Sequence, residues 1–219
     1  MHEIIPTIVP TTFEELAAHI ERLSTFARTI HIDAADGVFA PNLTWLPREG
    51  EHLPHPEIAY EAHLMVSEPL SLGTQFAKAG AKRIIAHLEA FSGGEAIADA
   101  FSAWRAAGAS EVGLALLLDT SLERIGPYVA QCDVVHLMTI ATIGKQGNPF
   151  EPRSIQRVAE FHAQHPTTII SVDGGETIDV VDDLARAGAT RFSIGSALSL
   201  STEPAAVYKR LLDAAGAVQ

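Results

Sequence analysis

Two imidazoles and two carboxylates stand where runs of β-forming residues give way to loops. They are His31 and Asp33 in Ile30-His31-Ile32-Asp33, His63 in Ala62-His63-Leu64-Met65, and Asp173 in Val172-Asp173-Gly174-Gly175. Nitrogen and oxygen donors of these kinds suit a divalent first-row cation such as zinc, iron, manganese or cobalt. The four residues come from three distant segments, so only the tertiary structure can gather them. Gathered, they make a metal centre with two carboxylates at its reacting edge, both able to give and take protons.

His31 and Asp33 are two positions apart, so a strand points both to the same side. If that side is a packed interior, their burial is expensive unless they are paired or hold a cation. A buried His–Asp hydrogen bond is the plainer alternative, and His63 taken alone reads as a hydrogen-bonded core histidine. Their joint occurrence with Asp173 at a strand end favours the metal. His136 lies inside a strand and reads as structural, and His87 is given no role. Asp36-Gly37 reads as turn chemistry that orders a loop.

The elements that must position these groups alternate along the chain. Strands are expected at 3–9, 29–33, 58–65, 83–88, 111–118, 134–139, 168–172 and 191–194. Helical patterns lie at 13–23, 70–79, 96–107, 152–165, 178–187 and 204–215. Thr12 is the expected N-cap of the first helix, with Glu15 as its capping-box partner. Ala-Gly-Ala followed by a polar residue recurs at 79–82, 107–110 and 187–190, each time between a helix and a strand. A glycine there can take the left-handed conformation that ends a helix. Eight such units predict a (β/α)8 barrel in a single domain over 1–219, and 219 residues suit that fold. No Gly-x-Gly-x-x-Gly follows the first strand, which argues against a dinucleotide-binding sheet.

In such barrels chemistry sits at the C-terminal strand ends. Asp33 and His63 fall at the ends of neighbouring strands, and Asp173 ends strand seven, across the mouth. Gly174-Gly175 and Gly195-Ser196 follow strands seven and eight, where backbone N–H groups can approach an anion. Gly144-Lys145-Gln146-Gly147, after strand six, reads as a lid.

Composition limits the partners. A formal charge of −12 argues against a nucleic-acid surface, because phosphate backbones reward Lys and Arg. No apolar run approaches the roughly 20 residues that span a bilayer, and the N-terminus lacks a secretory pattern. The single Cys132 fits a reducing cytoplasm. A small-molecule ligand and a homo-oligomer are expected.

At these residues the chain resembles the ribulose-phosphate 3-epimerase family along nearly its whole length. The likeness is carried by His31-Ile32-Asp33 through Asp36-Gly37-Val38-Phe39-Ala40-Pro41-Asn42, Ala62-His63-Leu64-Met65-Val66, Leu137-Met138-Thr139, Val172-Asp173-Gly174-Gly175 and Ile194-Gly195-Ser196-Ala197. It implies a (β/α)8 TIM barrel of the ribulose-phosphate-binding type, with His31, Asp33, His63 and Asp173 as metal ligands. It also implies that Asp33 and Asp173 are the paired acid and base. A sugar phosphate would be contacted by Thr7, His63, Met65, Met138, Gly144, Gly147, Gly174, Gly175, Gly195 and Ser196. The implied reaction interconverts D-ribulose 5-phosphate and D-xylulose 5-phosphate through an enediolate.

The chain departs from the family pattern in four places. Thr7 stands where serine is usual, and Ala35 replaces a methionine. Leu117-Leu118-Asp119-Thr120 lacks the usual Lys-Pro or Asn-Pro. Ala141-Thr142-Ile143-Gly144-Lys145-Gln146-Gly147 replaces the Pro-Gly-Phe-Gly-Gly-Gln lid. Three other functions share the sequence: epimerisation of a six-carbon ketose phosphate such as allulose 6-phosphate, a Schiff-base aldolase using Lys145, and a non-catalytic sugar-phosphate-binding barrel.

Overall fold

Apolar residues occupy every second position of eight short runs, and each run is a parallel strand in the computed structural model, which describes residues 2–144 and 147–216. The strands are β1 (Glu3–Ile8), β2 (Thr29–Ala35), β3 (Ala59–Met65), β4 (Arg83–His87), β5 (Glu111–Leu116), β6 (Val134–Met138), β7 (Ile169–Asp173) and β8 (Arg191–Ile194). They pair in chain order, and β8 returns to β1 through Glu3↔Arg191 to Pro6↔Ile194, closing the barrel. The (β/α)8 barrel expected from the sequence is the fold of this protein.

The helices are α1 (Phe13–Ser24), α2 (Pro69–Ala79), α3 (Gly94–Ala107), α4 (Arg153–Gln164), α5 (Ile178–Ala187), the single turn α6 (Ser196–Ser199) and α7 (Pro204–Gly216). The eight expected strand–helix units are not all present in full. The β2–β3 connection has no helix, and the β5–β6 connection has only 3₁₀ turns at Leu122–Arg124 and Gly126–Gln131. Pro41, Pro47, Pro54 and Pro56 crowd the first of these, and proline within a helix both loses a hydrogen bond and clashes with the preceding turn.

The three Ala-Gly-Ala segments end their helices as the repeat predicted. Gly80, Gly108 and Gly188 have φ of 118°, 118° and 113°. In each, the glycine N–H and the next N–H close back on the last helical carbonyls, as in Gly80 N to Ala77 O at 3.1 Å and Ala81 N to Phe76 O at 2.9 Å. At the other end of α1, Glu15 N–H donates to Thr12 Oγ1 at 3.2 Å. The Glu15 carboxylate, however, accepts from Thr11 N at 2.8 Å, one residue earlier than the capping box predicts.

The outward strand positions, such as Ile30, Ile32, Leu64, Ile84 and Phe192, are fully buried under the helices. Each such side chain contributes about 1.5–3 kcal/mol of burial energy. Inward positions are sorted by height. At the floor, Arg83 Nη1 donates to Glu3 Oε2 at 2.9 Å and Arg191 Nη1 to Glu111 Oε2 at 2.6 Å. Ile85, Ala115 and Val134 form a small apolar cluster. Above it lies a layer of histidines and aspartates, and at the mouth Ala35, Ala40, Met65, Met138, Ile140 and Ile143 pack together. An interior this polar is unusual for a barrel whose core is ordinarily filled by branched apolar side chains.

Candidate functional site

Strand pairing brings the sequence-predicted ligands together. The parallel register sets Asp33 beside His63 and His31 beside Glu61 on β2 and β3. On the other side it sets Met138 beside Asp173 on β6 and β7. Because side chains alternate, His31, Asp33, His63 and Asp173 all project toward the axis. His31 Nε2 lies 3.2 Å from Asp33 Oδ1, and His63 Nδ1 lies 3.0 Å from the same oxygen. The His63 Nδ1 atom is also 3.5 Å from Asp173 Oδ2. Both histidines are fully buried and both aspartates nearly so.

Those separations fit a cation. Donors about 2.0–2.1 Å from a tetrahedral ion stand roughly 3.3 Å apart, close to the three separations of 3.2, 3.0 and 3.5 Å. Donor atoms of His31, His63, His136 and Asp173 all lie within 4.8 Å of one another. An unpaired set of this density would be costly to bury.

The surroundings orient the donors. His31 Nδ1–H donates to Glu61 Oε1 at 2.7 Å, leaving Nε2 to face the cluster. Glu61 is fully buried, with Oε2 4.0 Å from Arg83 Nη1 in the floor. On the far side of His63, Nε2 lies 3.0 Å from His87 Nε2, and His87 Nδ1 faces Glu89 Oε2 at 3.4 Å. Burial pushes His87 down to about 4, so its ring is neutral. His136, read from sequence as structural, belongs to the cluster: its Nε2 is 3.5 Å from Asp173 Oδ2. Burial, reinforced by His63 and His31, holds it well below the usual histidine range. Sequence reasoning gave His87 and Glu89 no role and did not single out Glu61. The signal available for Glu61 was its spacing of two from His63 on an expected strand.

Electrostatics separates the two aspartates. Burial alone would raise Asp33, but hydrogen bonds from His31 and His63 hold it well below the usual carboxylate range. Burial, together with the charge of Asp33, pushes Asp173 up to about 6. Two carboxyls with different proton affinities at one site are the arrangement that acid–base chemistry requires. For His31, burial is outweighed by its bonds to Asp33 and Glu61, which raise it well above its ordinary value.

A cavity lies above this layer. Of the residues expected to contact a substrate, Thr7, Met65, Met138, Gly144, Gly147, Gly174, Gly175, Gly195 and Ser196 line it, together with Asp33 and Asp173. His63 stands behind the wall rather than in it. Lys145 and Gln146, the centre of the expected lid and the aldolase candidate, lie outside the described residues. Asp36 orders its loop as expected: Oδ1 accepts from Val38 N and Phe39 N, both at 2.9 Å, and Oδ2 accepts from Ser67 N at 2.7 Å.

Glu176 is a further wall residue that the sequence did not single out. Its Oε1 accepts from Thr139 Oγ1 at 2.8 Å and its Oε2 from Gly174 N at 2.8 Å. The Gly174 N–H expected to meet an anion is therefore already committed. Burial and the neighbouring Asp173 push Glu176 up to about 8. The folded state thus keeps a proton that the unfolded chain releases, and stability falls as pH rises from about 4.5 to about 8. In chelator-treated protein, Glu176→Gln should match the wild type below this window. Above it the variant should melt several degrees higher, roughly 2–4 °C per kcal/mol for a chain of this size. Thermal melts across the pH range test this, and a constant gap between the two proteins would contradict it.

The Ribulose-phosphate 3 epimerase family matches residues 3–199 of the chain. Ribulose-phosphate 3-epimerase of Schizosaccharomyces pombe is 33% identical over 214 residues, covering 95% of this chain and 92% of that protein. The cytoplasmic isoform of Oryza sativa is 30% identical, covering 95% and 92%. Among solved structures, KGPDC from Streptococcus mutans superposes with a TM-score of 0.73 at 12% identity, covering 100% of this chain and 99% of that one. The 3-hexulose-6-phosphate synthase of Salmonella typhimurium gives 0.71 at 16% identity, covering 99% and 100%. At these identities the structural likeness speaks to the fold alone.

Proposed function

The chain belongs to the ribulose-phosphate 3-epimerase family of isomerases acting on carbohydrates, and from that premise we propose that it is a metal-dependent ketose-phosphate 3-epimerase. Its substrate pair is D-ribulose 5-phosphate and D-xylulose 5-phosphate. The observation that carries this reading is the convergence of His31, Asp33, His63 and Asp173 at donor spacings of 3.0–3.5 Å beneath one cavity. His31, Asp33, His63 and Asp173 would hold the ion, which is zinc, iron, manganese or cobalt. Once bound, it supplies Lewis-acid stabilisation of negative charge developing on oxygen.

The chain's own groups move the proton. The ketone at C2 makes the C3 proton removable, and one carboxylate takes it from one face of the sugar. The other carboxyl returns a proton to the opposite face, which inverts C3. Asp33 on β2 and Asp173 on β7 come from different sides of the barrel, as inversion requires. The lowered Asp33 is the carboxylate of the resting pair and Asp173 the group that more readily carries the proton, with roles exchanged in the reverse direction. Met65 and Met138 give the reacting carbons an apolar wall, both being almost fully buried at the mouth. Because Gly174 N–H is bonded to Glu176, the phosphate is assigned to the Gly175 and Gly195–Ser196 turns, where it anchors the substrate remotely from C3.

Among the described residues no helix is long and apolar enough to cross a membrane. The unpaired Cys132 supports a cytoplasmic location. The exposed Val38, Leu43 and Leu200 support self-association into a homo-oligomer.

The test is turnover in deuterium oxide. D-Ribulose 5-phosphate should yield D-xylulose 5-phosphate carrying deuterium at C3. Failure on this substrate with turnover of allulose 6-phosphate would move the assignment to six-carbon sugars. Binding without turnover of either would make the protein a sugar-phosphate sensor.

A further inference from the structure

Among the described residues, His136 has a buried ring nitrogen, Nε2, that meets no hydrogen-bond partner. Its Nδ1 lies 3.0 Å from Ser171 Oγ, the residue opposite it in the β6–β7 ladder. With that proton donated to the serine, the lone pair falls on Nε2, which points at the carboxylate cluster 3.5 Å from Asp173 Oδ2. The ring is held in place by neighbours as well: it stacks on His31 at 5.6 Å and 20°, and its centroid is 4.8 Å from that of His63. A fully buried imidazole locked this way, with its free lone pair beside Asp173 and within 4.8 Å of donor atoms of His31 and His63, has the geometry of a ligand rather than of a strand brace.

We propose that His136 is an additional metal ligand in this protein, so that the ion is held by three imidazoles as well as by Asp33 and Asp173. The proposal rests on the metal centre described above. A third nitrogen donor softens the site and favours zinc, cobalt or iron over manganese or magnesium, which prefer oxygen. With His136 Nε2 3.5 Å from Asp173 Oδ2, the imidazole would share the charge of the ion with that carboxylate. Ser171 is then a positioning residue that fixes the His136 tautomer.

The experiment loads the full-length protein, labelled with nitrogen-15 histidine, with cadmium-113 and counts the imidazole nitrogens coupled to the metal. Three coupled histidines, with His136 bound through Nε2, are expected; couplings at His31 and His63 alone would overturn the inference while leaving the metal centre intact. A protein that takes up no cadmium or zinc would remove both. In parallel, His136→Leu should lower zinc affinity at least about 10-fold, read by competition with a chromophoric chelator, and should intensify the visible bands of the cobalt-loaded form as the coordination number drops. Unchanged affinity and spectrum in a folded variant would also overturn it. The wild-type coupling count stands even if that variant does not fold.

Discussion

Asp173→Asn is expected to lower kcat roughly 10³-fold or more, since general acid–base groups are worth about 10²–10⁴-fold and here a single proton-carrying group is lost entirely. Asp33→Asn should be as damaging, because that carboxylate also accepts from both His31 and His63. The two variants are not expected to fail in the same way. Each keeps the carboxyl that serves one face of C3, so each should still exchange the C3 proton of one epimer with solvent deuterium, slowly and without inversion. Proton magnetic resonance of each pure epimer, incubated with each variant in deuterium oxide, makes the comparison. Either variant retaining most of its turnover would contradict the two-carboxyl scheme. Exchange of both epimers by one variant would point to a single mobile base.

Removal of the cation should cost at least about 100-fold in activity, restored by adding back zinc, iron, manganese or cobalt. The structure explains why the loss should be linked to pH. Without an ion, His31 is held protonated between Asp33 and Glu61, and that proton takes the place of the cation's charge. Metal uptake must displace it, so affinity should fall as pH drops and uptake should release protons. The bound ion should also raise the melting temperature, by an amount that grows with metal concentration, because it binds the folded chain and not the unfolded one. Calorimetric titration in two buffers of different ionisation enthalpy counts the released protons. Activity that survives exhaustive chelation, with no metal left by elemental analysis, would end the metal-dependent reading.

His31, Asp33, His63 and Asp173 were legible as candidates in the amino-acid sequence because Asp33, His63 and Asp173 stand at or near the ends of recognisable strands, where this barrel concentrates its chemistry, and His31 shares a strand face with Asp33. The strand limits fell within two residues of those observed, and the three Ala-Gly-Ala segments announced their helix ends, because alternation and left-handed glycine are local properties. The partners of those groups were not legible. Glu61 meets His31, His87 meets His63, and His136 meets Asp173 only through the stagger of adjacent strands and the closure of the sheet. Glu176 acquires its role by folding back onto Thr139 and Gly174, a turn that its neighbours in sequence do not specify. Sequence by itself determined the eight-stranded framework and the candidate side chains on it. Which of them stand close enough to share a proton or a cation was decided by the tertiary structure alone, because donor distances of 3.0–3.5 Å depend on register and burial between distant segments, as with His63 and Asp173, 110 positions apart.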